Sequence, residues 1–152
     1  MPQSLANVTL HFVFSTKHRQ PLLKPKSLRD QWYAYMATVL RDNVDSPAII
    51  IGGVEDHVHV LVNLSRSYAI KDVVQEMKTE TSKWIKKQSP ELHPFAWQAG
   101  YGVFSVSQSI VPSCKSYIAH QEEHHKKTTF QEEFRDMCKR AGIEIDERYV
   151  WD

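Results

Sequence analysis

The sequence has few of the features that hold small or secreted proteins together. It contains only two cysteines, Cys114 and Cys138, which are far apart and form no Cys-x-x-Cys pair. This excludes a disulfide framework and argues against a structural zinc site. The longest uncharged run, residues 95–114, is interrupted by glutamines, serines and a proline, so it is too polar to span a bilayer. Neither charge sign dominates, since 19 basic and 18 acidic residues give a net charge of +1. The chain is therefore not a bulk polybasic binder, although a local basic stripe would suffice to bind nucleic acid.

What the sequence does have is the composition of a folded domain. Apolar side chains make up 41% of its 152 residues and charged side chains 24%. A chain of this length buries about 70% of its unfolded surface and needs no disulfide or metal to fold. We expect a single domain over residues 1–152, because no linker, repeat or low-complexity tract divides the chain. The scarcity of cysteine and the lack of a signal-peptide pattern favour a cytoplasmic location.

The hydrophobic pattern predicts strands and helices in a recognisable order. Alternation of apolar and polar residues predicts strands at residues 8–15, 48–51, 57–63 and 101–107. Helical spacing predicts helices at 27–43, from a cap at Ser65 or Ser67 to about 86, from a cap at Ser109 to about 125, and at 130–141. This order matches the α+β, ferredoxin-like split βαβ fold, an antiparallel sheet with helices on one face, followed by C-terminal helices. That fold places the first and third strands side by side in the middle of the sheet.

His57 and His59 form the first candidate site. They are two residues apart on a predicted strand, so their imidazoles point to the same face while Val58 points into the core. The ring nitrogens could then share one metal ion. The pair alone is also compatible with two histidines on a half-buried face that bind no ion. The predicted sheet would bring His11 close to this pair, and the adjacent Asp56 is either a turn residue or a partner that orients a histidine.

Tyr117 and Gln121 form the second candidate site. They are four residues apart and therefore share one face of the predicted helix, with His120 and His124 beside that face. By itself this pattern also fits a polar helix surface with a tyrosine at its edge. Combined with the histidine pair, it supplies a candidate hydroxyl nucleophile and a metal site.

The two motifs and their surroundings resemble the HUH single-tyrosine transposases of bacterial insertion sequences and their repeat-associated relatives. His57-Val58-His59 is similar to the family's histidine–hydrophobe–histidine motif. Tyr117 and Gln121 are similar to its tyrosine followed four residues later by glutamine. Residues 10–17 resemble the family's first strand, and residues 97–107 resemble the segment before its tyrosine helix. The resemblance covers about residues 10–151, with no departure at the motif positions.

The resemblance implies cleavage and rejoining of single-stranded DNA during transposition. It implies that Tyr117 is the catalytic nucleophile and forms a 5′-phosphotyrosine. His57, His59 and Gln121 would bind a divalent metal cation, magnesium or manganese, and on ligand type alone imidazoles favour manganese. The resemblance also implies recognition of a DNA hairpin near each element end. It further implies a homodimer with active sites shared between subunits, in which the tyrosine helix of one subunit serves the histidines of the other.

Basic residues in two places are candidate DNA contacts. Lys17 and Arg19 lie in the loop after the first strand, and Lys71 and Lys78 lie on one stripe of the second long helix. Stripes of this kind are commonly only solvated faces.

Two other functions stay open at the level of sequence. A non-catalytic nucleic-acid-binding module on the same ferredoxin-like plan requires stacking aromatic residues on the first and third strands, and the third strand has none. A metal-dependent hydrolase with water as its nucleophile would keep its activity without Tyr117. A Tyr117 variant therefore separates the hydrolase from the transposase.

Overall fold

The first part of the chain contains four strands and two helices, and the last part contains three more helices. These last helices pack on the face of the sheet opposite to the first two. The computed structural model describes residues 2–152. Its elements are β1 (Thr9–Ser15), α1 (Lys26–Val44), β2 (Ala48–Gly53), β3 (His57–Asn63), α2 (Ile70–Lys86), β4 (Gly102–Ser105), α3 (Val111–Ala119), α4 (Gln121–His124) and α5 (Phe130–Arg140). Two short 3-10 turns, Lys17–Arg19 and Pro90–Leu92, lie between them. Among the described residues, no helix has both the length and the apolar character needed to cross a bilayer.

The four strands form one antiparallel sheet in the order β2-β3-β1-β4. This is the predicted ferredoxin-like arrangement, with β1 and β3 adjacent in the centre. Their register pairs Val13 with His59 and Ser15 with His57. The centre of the sheet therefore carries the histidine pair, where a neighbouring strand fixes it on each side.

The two faces of the sheet have different partners. The period-two alternation of β1 and β3 sends Phe12, Phe14, Val58 and Val60 to the face covered by α1 and α2, where they join the main hydrophobic core. The opposite face carries Val13 and Leu61, which pack against α5 and α3 respectively. The sheet is thus the middle of three layers. The prediction that His57 and His59 lie on the face opposite to Val58 is confirmed.

The predicted helix starts are correct in one case and wrong in three. The hydroxyl of Thr129 accepts a hydrogen bond from the Glu132 N–H at 3.2 Å, which confirms the predicted cap of α5. The serine caps predicted at Ser27, at Ser109 and at Ser65 or Ser67 are wrong, since the cap positions are Pro25, Ile110 and Ala69. Short serine patterns are weak signals because a hydroxyl also bonds locally in turns, as Ser65 does with the Ser67 N–H.

Two predicted elements also differ from the structure. The single helix predicted from Ser109 to about residue 125 is interrupted at His120, whose φ of −107° and ψ of 27° separate α3 from α4. The strand predicted at 101–107 is shorter, because only Gly102–Ser105 pairs with β1. The tail after residue 142 forms turns, and Trp151 packs against Phe130 and Phe134 of α5.

Candidate active site

The histidine pair of β3 lies in the interior between the sheet and α5. His57 and His59 are both 0% exposed, and their ring centroids are 5.2 Å apart. Side chains this polar are rarely buried without partners. The chemistry that this site can perform therefore depends on the groups that the two imidazole rings contact.

Each ring has a partner at its Nδ1 atom. His57 Nδ1 lies 2.7 Å from Asp56 Oδ1, so the ring donates to the carboxylate. His59 Nδ1 lies 2.8 Å from Nε2 of His11, the β1 residue predicted to approach the pair. Asp56 is therefore a partner that orients a histidine, one of its two sequence interpretations. These bonds leave the Nε2 atoms of both rings facing away from β3, toward the C-terminal helices.

Two residues that the sequence did not single out complete the cluster. Glu133 of α5 is buried, and its Oε1 lies 2.9 Å from His59 Nε2 and 3.4 Å from His57 Nε2. His125 Nε2 lies 3.2 Å from the same oxygen, while its Nδ1 lies 2.8 Å from the carbonyl oxygen of Thr128. One ligand atom from each of the four side chains lies within 4.8 Å of all the others.

Gln121 reaches this cluster despite the interruption of its helix. Its Oε1 lies 3.2 Å from His57 Nε2 and 2.9 Å from His125 Nε2, and the side chain is buried. Its Nε2 lies 3.4 Å from the Tyr117 carbonyl oxygen. The spacing of four residues therefore still places Gln121 next to Tyr117, although they belong to different helices.

The Tyr117 hydroxyl points at the same cluster. It donates a hydrogen bond to Oε2 of Glu133, and it lies 3.4 Å from His124 Nε2. The tyrosine ring centroid is 5.7 Å from that of His59. Within a single chain, the phenol oxygen thus shares one carboxylate with the histidines. The predicted sharing of active sites between two subunits stays a prediction.

Burial and hydrogen bonding shift the pKa values of the two β3 histidines in opposite directions. Burial lowers the pKa of His59 to about 4, so its ring is neutral near pH 7. Burial also disfavours the charged form of His57, but hydrogen bonds to Asp56 and Glu133 outweigh it and raise the pKa to about 9. In a chain without a cation, His57 therefore carries the proton that a metal ion would have to displace.

The pKa values of Tyr117 and of the carboxylate that accepts its hydrogen bond are also shifted. Burial and the hydrogen bond to Glu133 raise the pKa of Tyr117 above its usual range, so the phenol is protonated at neutral pH. Burial opposes ionisation of Glu133, but hydrogen bonds from the surrounding histidines hold its pKa below the usual range. The site thus presents an ionised carboxylate to a neutral phenol.

The donor set fits a divalent metal ion. The ring nitrogens of His57 and His59, an amide oxygen of Gln121 and a carboxylate oxygen of Glu133 are all buried and close together. Each β3 ring has its other nitrogen engaged, which is the arrangement that fixes the tautomer of metal-binding histidines.

Tyr117 is accessible from two sides. A cavity of about 440 Å³ is lined by His11, Tyr117 and Glu133, and a groove of about 730 Å³ runs past Tyr117, His124 and Lys127. Both volumes lie in the range of ligand pockets, roughly 300–1,000 Å³. Tyr117 therefore lines both openings, whereas His57 and His59 line neither of them.

Residues 4–121 match the sequence model of one family, the IS200-like transposases. The chain belongs to this family. The matched residues include His57, His59, Tyr117 and Gln121, and they end before His125 and Glu133. No curated protein matches the sequence.

Two solved structures share the fold of this IS200-like chain. One is a candidate transposase from Deinococcus radiodurans R1, with a TM-score of 0.62 and 19% identity over 80% of this chain and 95% of that one. The other is a REP-associated tyrosine transposase bound to a REP hairpin, with a TM-score of 0.61 and 12% identity over 93% of this chain and 86% of that one. At these identities the likeness establishes the common fold.

The candidate DNA contacts of this family member differ in their exposure and in their partners. Lys17 and Lys71 are exposed, and the Arg19 guanidinium lies 5.7 Å from the centre of the Trp151 ring. Lys78 is already engaged, since its ammonium group lies 2.8, 3.2 and 2.7 Å from the carbonyl oxygens of Gln98, Ala99 and Gly100. An ammonium group has three N–H donors. A DNA contact by Lys78 would therefore compete with its bonds to the protein.

A signal for Glu133 was present in the sequence. In α5 the buried residues are Phe130, Glu133, Phe134 and Cys138, so the carboxylate occupies a position on the apolar stripe. A charged residue on such a stripe is a buried charge that needs a partner. His125 had no comparable signal. It lies in a polar stretch that also contains His120, Gln121 and His124, and nothing in the sequence distinguishes it from the other histidines there.

Proposed function

We propose that this IS200-like transposase cuts and rejoins single-stranded DNA through a covalent 5′-phosphotyrosine intermediate, with a divalent metal cation as cofactor. The observation that carries the proposal is the position of the Tyr117 hydroxyl, which is bonded to the same carboxylate that contacts His57 and His59. Membership of the family supports the transposition of DNA.

Tyr117 is the nucleophile in this proposal. Its Oη attacks the phosphorus of a backbone phosphodiester, and a new Oη–P bond forms as the P–O3′ bond breaks. The phenol proton passes to Glu133 Oε2, which already accepts its hydrogen bond. The departing O3′ takes up a proton from solvent and becomes a free 3′-hydroxyl. Attack by a 3′-hydroxyl on the phosphotyrosine reverses these bond changes, so the strand is resealed without a nucleoside triphosphate.

The cation site belongs to the same step. Bound by His57, His59 and Gln121, a divalent ion would neutralise the charge that develops on the phosphate oxygens. The chain itself holds Tyr117 protonated, because burial raises its pKa. A divalent cation held by these residues would help to activate the phenol.

DNA would contact the chain on two sides. The groove past Tyr117, which is flanked by Lys126 and Lys127, suits the strand that is cut. Lys17, Arg19 and Lys71 would bind phosphates of the hairpin, with Lys78 as a further candidate. The REP-associated transposase of the same fold is bound to a hairpin, which supports hairpin recognition at element ends here.

The test is cleavage of single-stranded DNA that carries the element's own hairpin ends, followed on a denaturing gel. We expect cleavage with manganese or magnesium, none in excess chelator, and none with Tyr117→Phe. Tyr149→Phe is the matched control, because this tyrosine is 64% exposed and lies in the tail. Cleavage by the Tyr117→Phe protein would favour a hydrolase that uses water. Tight hairpin binding without cleavage in any metal would favour a non-catalytic nucleic-acid-binding module.

A further inference from the structure

We propose that the metal centre of this chain uses His125 and Glu133 as ligands together with His57 and His59, and that this set selects a first-row transition-metal dication over magnesium. This assignment rests on the proposed function, because it concerns the cation that supports cleavage. It differs from the ligand set implied by the motifs, which consists of the two β3 histidines and Gln121.

The orientation of three imidazoles supports the assignment. The Nδ1 atoms of His57, His59 and His125 face Asp56, His11 and the Thr128 carbonyl oxygen, at 2.7, 2.8 and 2.8 Å. All three rings therefore turn their Nε2 atoms inward. An outer acceptor at one nitrogen and a free second nitrogen is the usual arrangement of a metal-binding histidine.

The three Nε2 atoms meet at one oxygen. They lie 3.4, 2.9 and 3.2 Å from Oε1 of Glu133, for His57, His59 and His125 respectively. His59 donates through Nδ1 to His11, so as a neutral ring it presents a lone pair rather than an N–H group at Nε2. That lone pair faces a carboxylate oxygen at 2.9 Å, an unfavourable contact that a shared cation would replace by two metal–ligand bonds.

Glu133 also connects this centre to the nucleophile. Its Oε1 faces the three rings, while its Oε2 accepts the hydrogen bond of the Tyr117 hydroxyl. The carboxylate thus fixes the distance between the metal centre and the phenol oxygen. Gln121 Oε1 lies 2.9 Å from His125 Nε2 and can serve as an additional oxygen donor.

The composition of the set decides the class of metal. Magnesium prefers oxygen ligands and retains several waters, whereas imidazole nitrogens favour manganese and the later first-row ions. Three imidazoles and one carboxylate therefore favour a transition-metal ion more strongly than two imidazoles and an amide.

The experiment measures metal binding without DNA. Protein stripped by a chelator is titrated with manganese and with magnesium in a calorimeter, and with cobalt by visible absorption. We expect His125→Ala and Glu133→Gln to weaken manganese binding by more than about 100-fold, the upper end of what loss of an outer partner costs. His120→Ala is the matched control, because the side chain of this exposed histidine of the same segment bonds only the Ser116 carbonyl oxygen. The manganese affinity of this variant should change less than about twofold.

The results that would overturn the assignment are equally specific. One such result is manganese affinity that is lost in His57→Ala but unchanged in His125→Ala and Glu133→Gln. The ligands would then be the two β3 histidines and Gln121, as the motifs imply. Magnesium binding as tight as manganese binding would refute the selectivity. Pulsed electron paramagnetic resonance of the unaltered manganese-loaded protein counts the coordinated imidazoles and needs no variant to fold; three support the assignment and two contradict it.

The outcome is distinguishable from failure of the proposed function. Intact binding by all four ligands without any covalent adduct on DNA would refute the cleavage mechanism and leave the metal centre standing. The opposite result is metal-dependent cleavage together with a manganese affinity that is unchanged in His125→Ala and Glu133→Gln. It would support the cleavage mechanism and refute the proposed ligand set.

Discussion

At the scale of single residues, the site relies on side chains that orient its ligands. Nε2 of His11 lies 2.8 Å from His59 Nδ1, and Nδ1 of His11 lies 3.8 Å from Cys114 Sγ. Burial lowers the pKa of His11 to about 3, so the ring is neutral and keeps one acceptor nitrogen. His11 can therefore accept the Nδ1–H of His59 and turn its Nε2 toward Glu133, which makes it a positioning residue.

We predict that His11→Phe weakens manganese binding by about 10- to 100-fold, because an aromatic ring of similar size fills the space without an acceptor. Calorimetric titration of the metal-free protein measures the effect. His11→Gln should recover part of the affinity, since its amide oxygen can accept the same hydrogen bond. Equal manganese affinity in the His11→Phe and unaltered proteins would show that His59 needs no orienting partner.

The residues of the site differ in how far the sequence could predict them. His57 and His59 followed from local alternation on one strand, and Tyr117 with Gln121 followed from motif spacing. The bond between His59 and Glu133 joins residues 74 positions apart, and it depends on how α5 returns to the sheet. Local periodicity carries no information on that path, so the carboxylate could be recognised as buried but not assigned a partner.

At the scale of elements, the tyrosine helix is held by close contact with the edge strand. A Cβ atom on Gly52 of β2 would lie 2.6 Å from the Ile118 carbonyl oxygen of α3. Such a contact is too short to persist, and its partner is backbone rather than a flexible side chain. Glycine at this position therefore sets the distance between α3, which carries Tyr117, and the sheet, which carries the histidines.

We predict that Gly52→Ala slows DNA cleavage by about 10- to 100-fold, because a shift of about 1 Å in a reacting group can cost that much. The measurement is single-turnover cleavage of the hairpin substrate. Gly100→Ala is the control, since a Cβ there would meet its nearest neighbour at an ordinary 3.5 Å. An unimpaired rate in Gly52→Ala would mean that α3 can move without loss of alignment.

Elements were predictable to different degrees for a physical reason. Strand β3 matched its predicted bounds because alternation of valine with other residues is typical of a strand, although both of its faces are buried. The interruption at His120 was not predictable, since residues 111–125 contain no glycine, and their only proline, Pro112, lies in the first turn. Packing of α3 on β2 and of Gln121 into the cluster takes precedence over continuity of the helix there.

At the scale of the whole molecule, the sheet separates the candidate active site from two of the candidate DNA contacts. The tyrosine and the histidines lie on the side of α3–α5, whereas Lys71 and Lys78 belong to α2 on the opposite side. A DNA hairpin bound by α2 would therefore have to send its single strand around an edge of the sheet.

We predict that the active sites of a homodimer are shared, so that mixing His57→Ala protein with Tyr117→Phe protein restores cleavage. One composite site of the mixed dimer then has both an intact histidine pair and an intact tyrosine. Cleavage on a denaturing gel, with subunit exchange verified by differently tagged chains, measures this. No return of activity despite exchange would mean that each chain uses its own Tyr117, the arrangement found within the single chain.

The most direct test of the account is the identity of the residue that becomes bonded to DNA. The protein is incubated with hairpin-bearing single-stranded DNA and manganese, the covalent complex is trapped by denaturation and digested, and the peptides are analysed by mass spectrometry. The account predicts a 5′-phosphate adduct on the peptide that contains Tyr117, and no adduct in the Tyr117→Phe protein. An adduct on any of the other five tyrosines, or cleavage that leaves no protein–DNA bond, would contradict it.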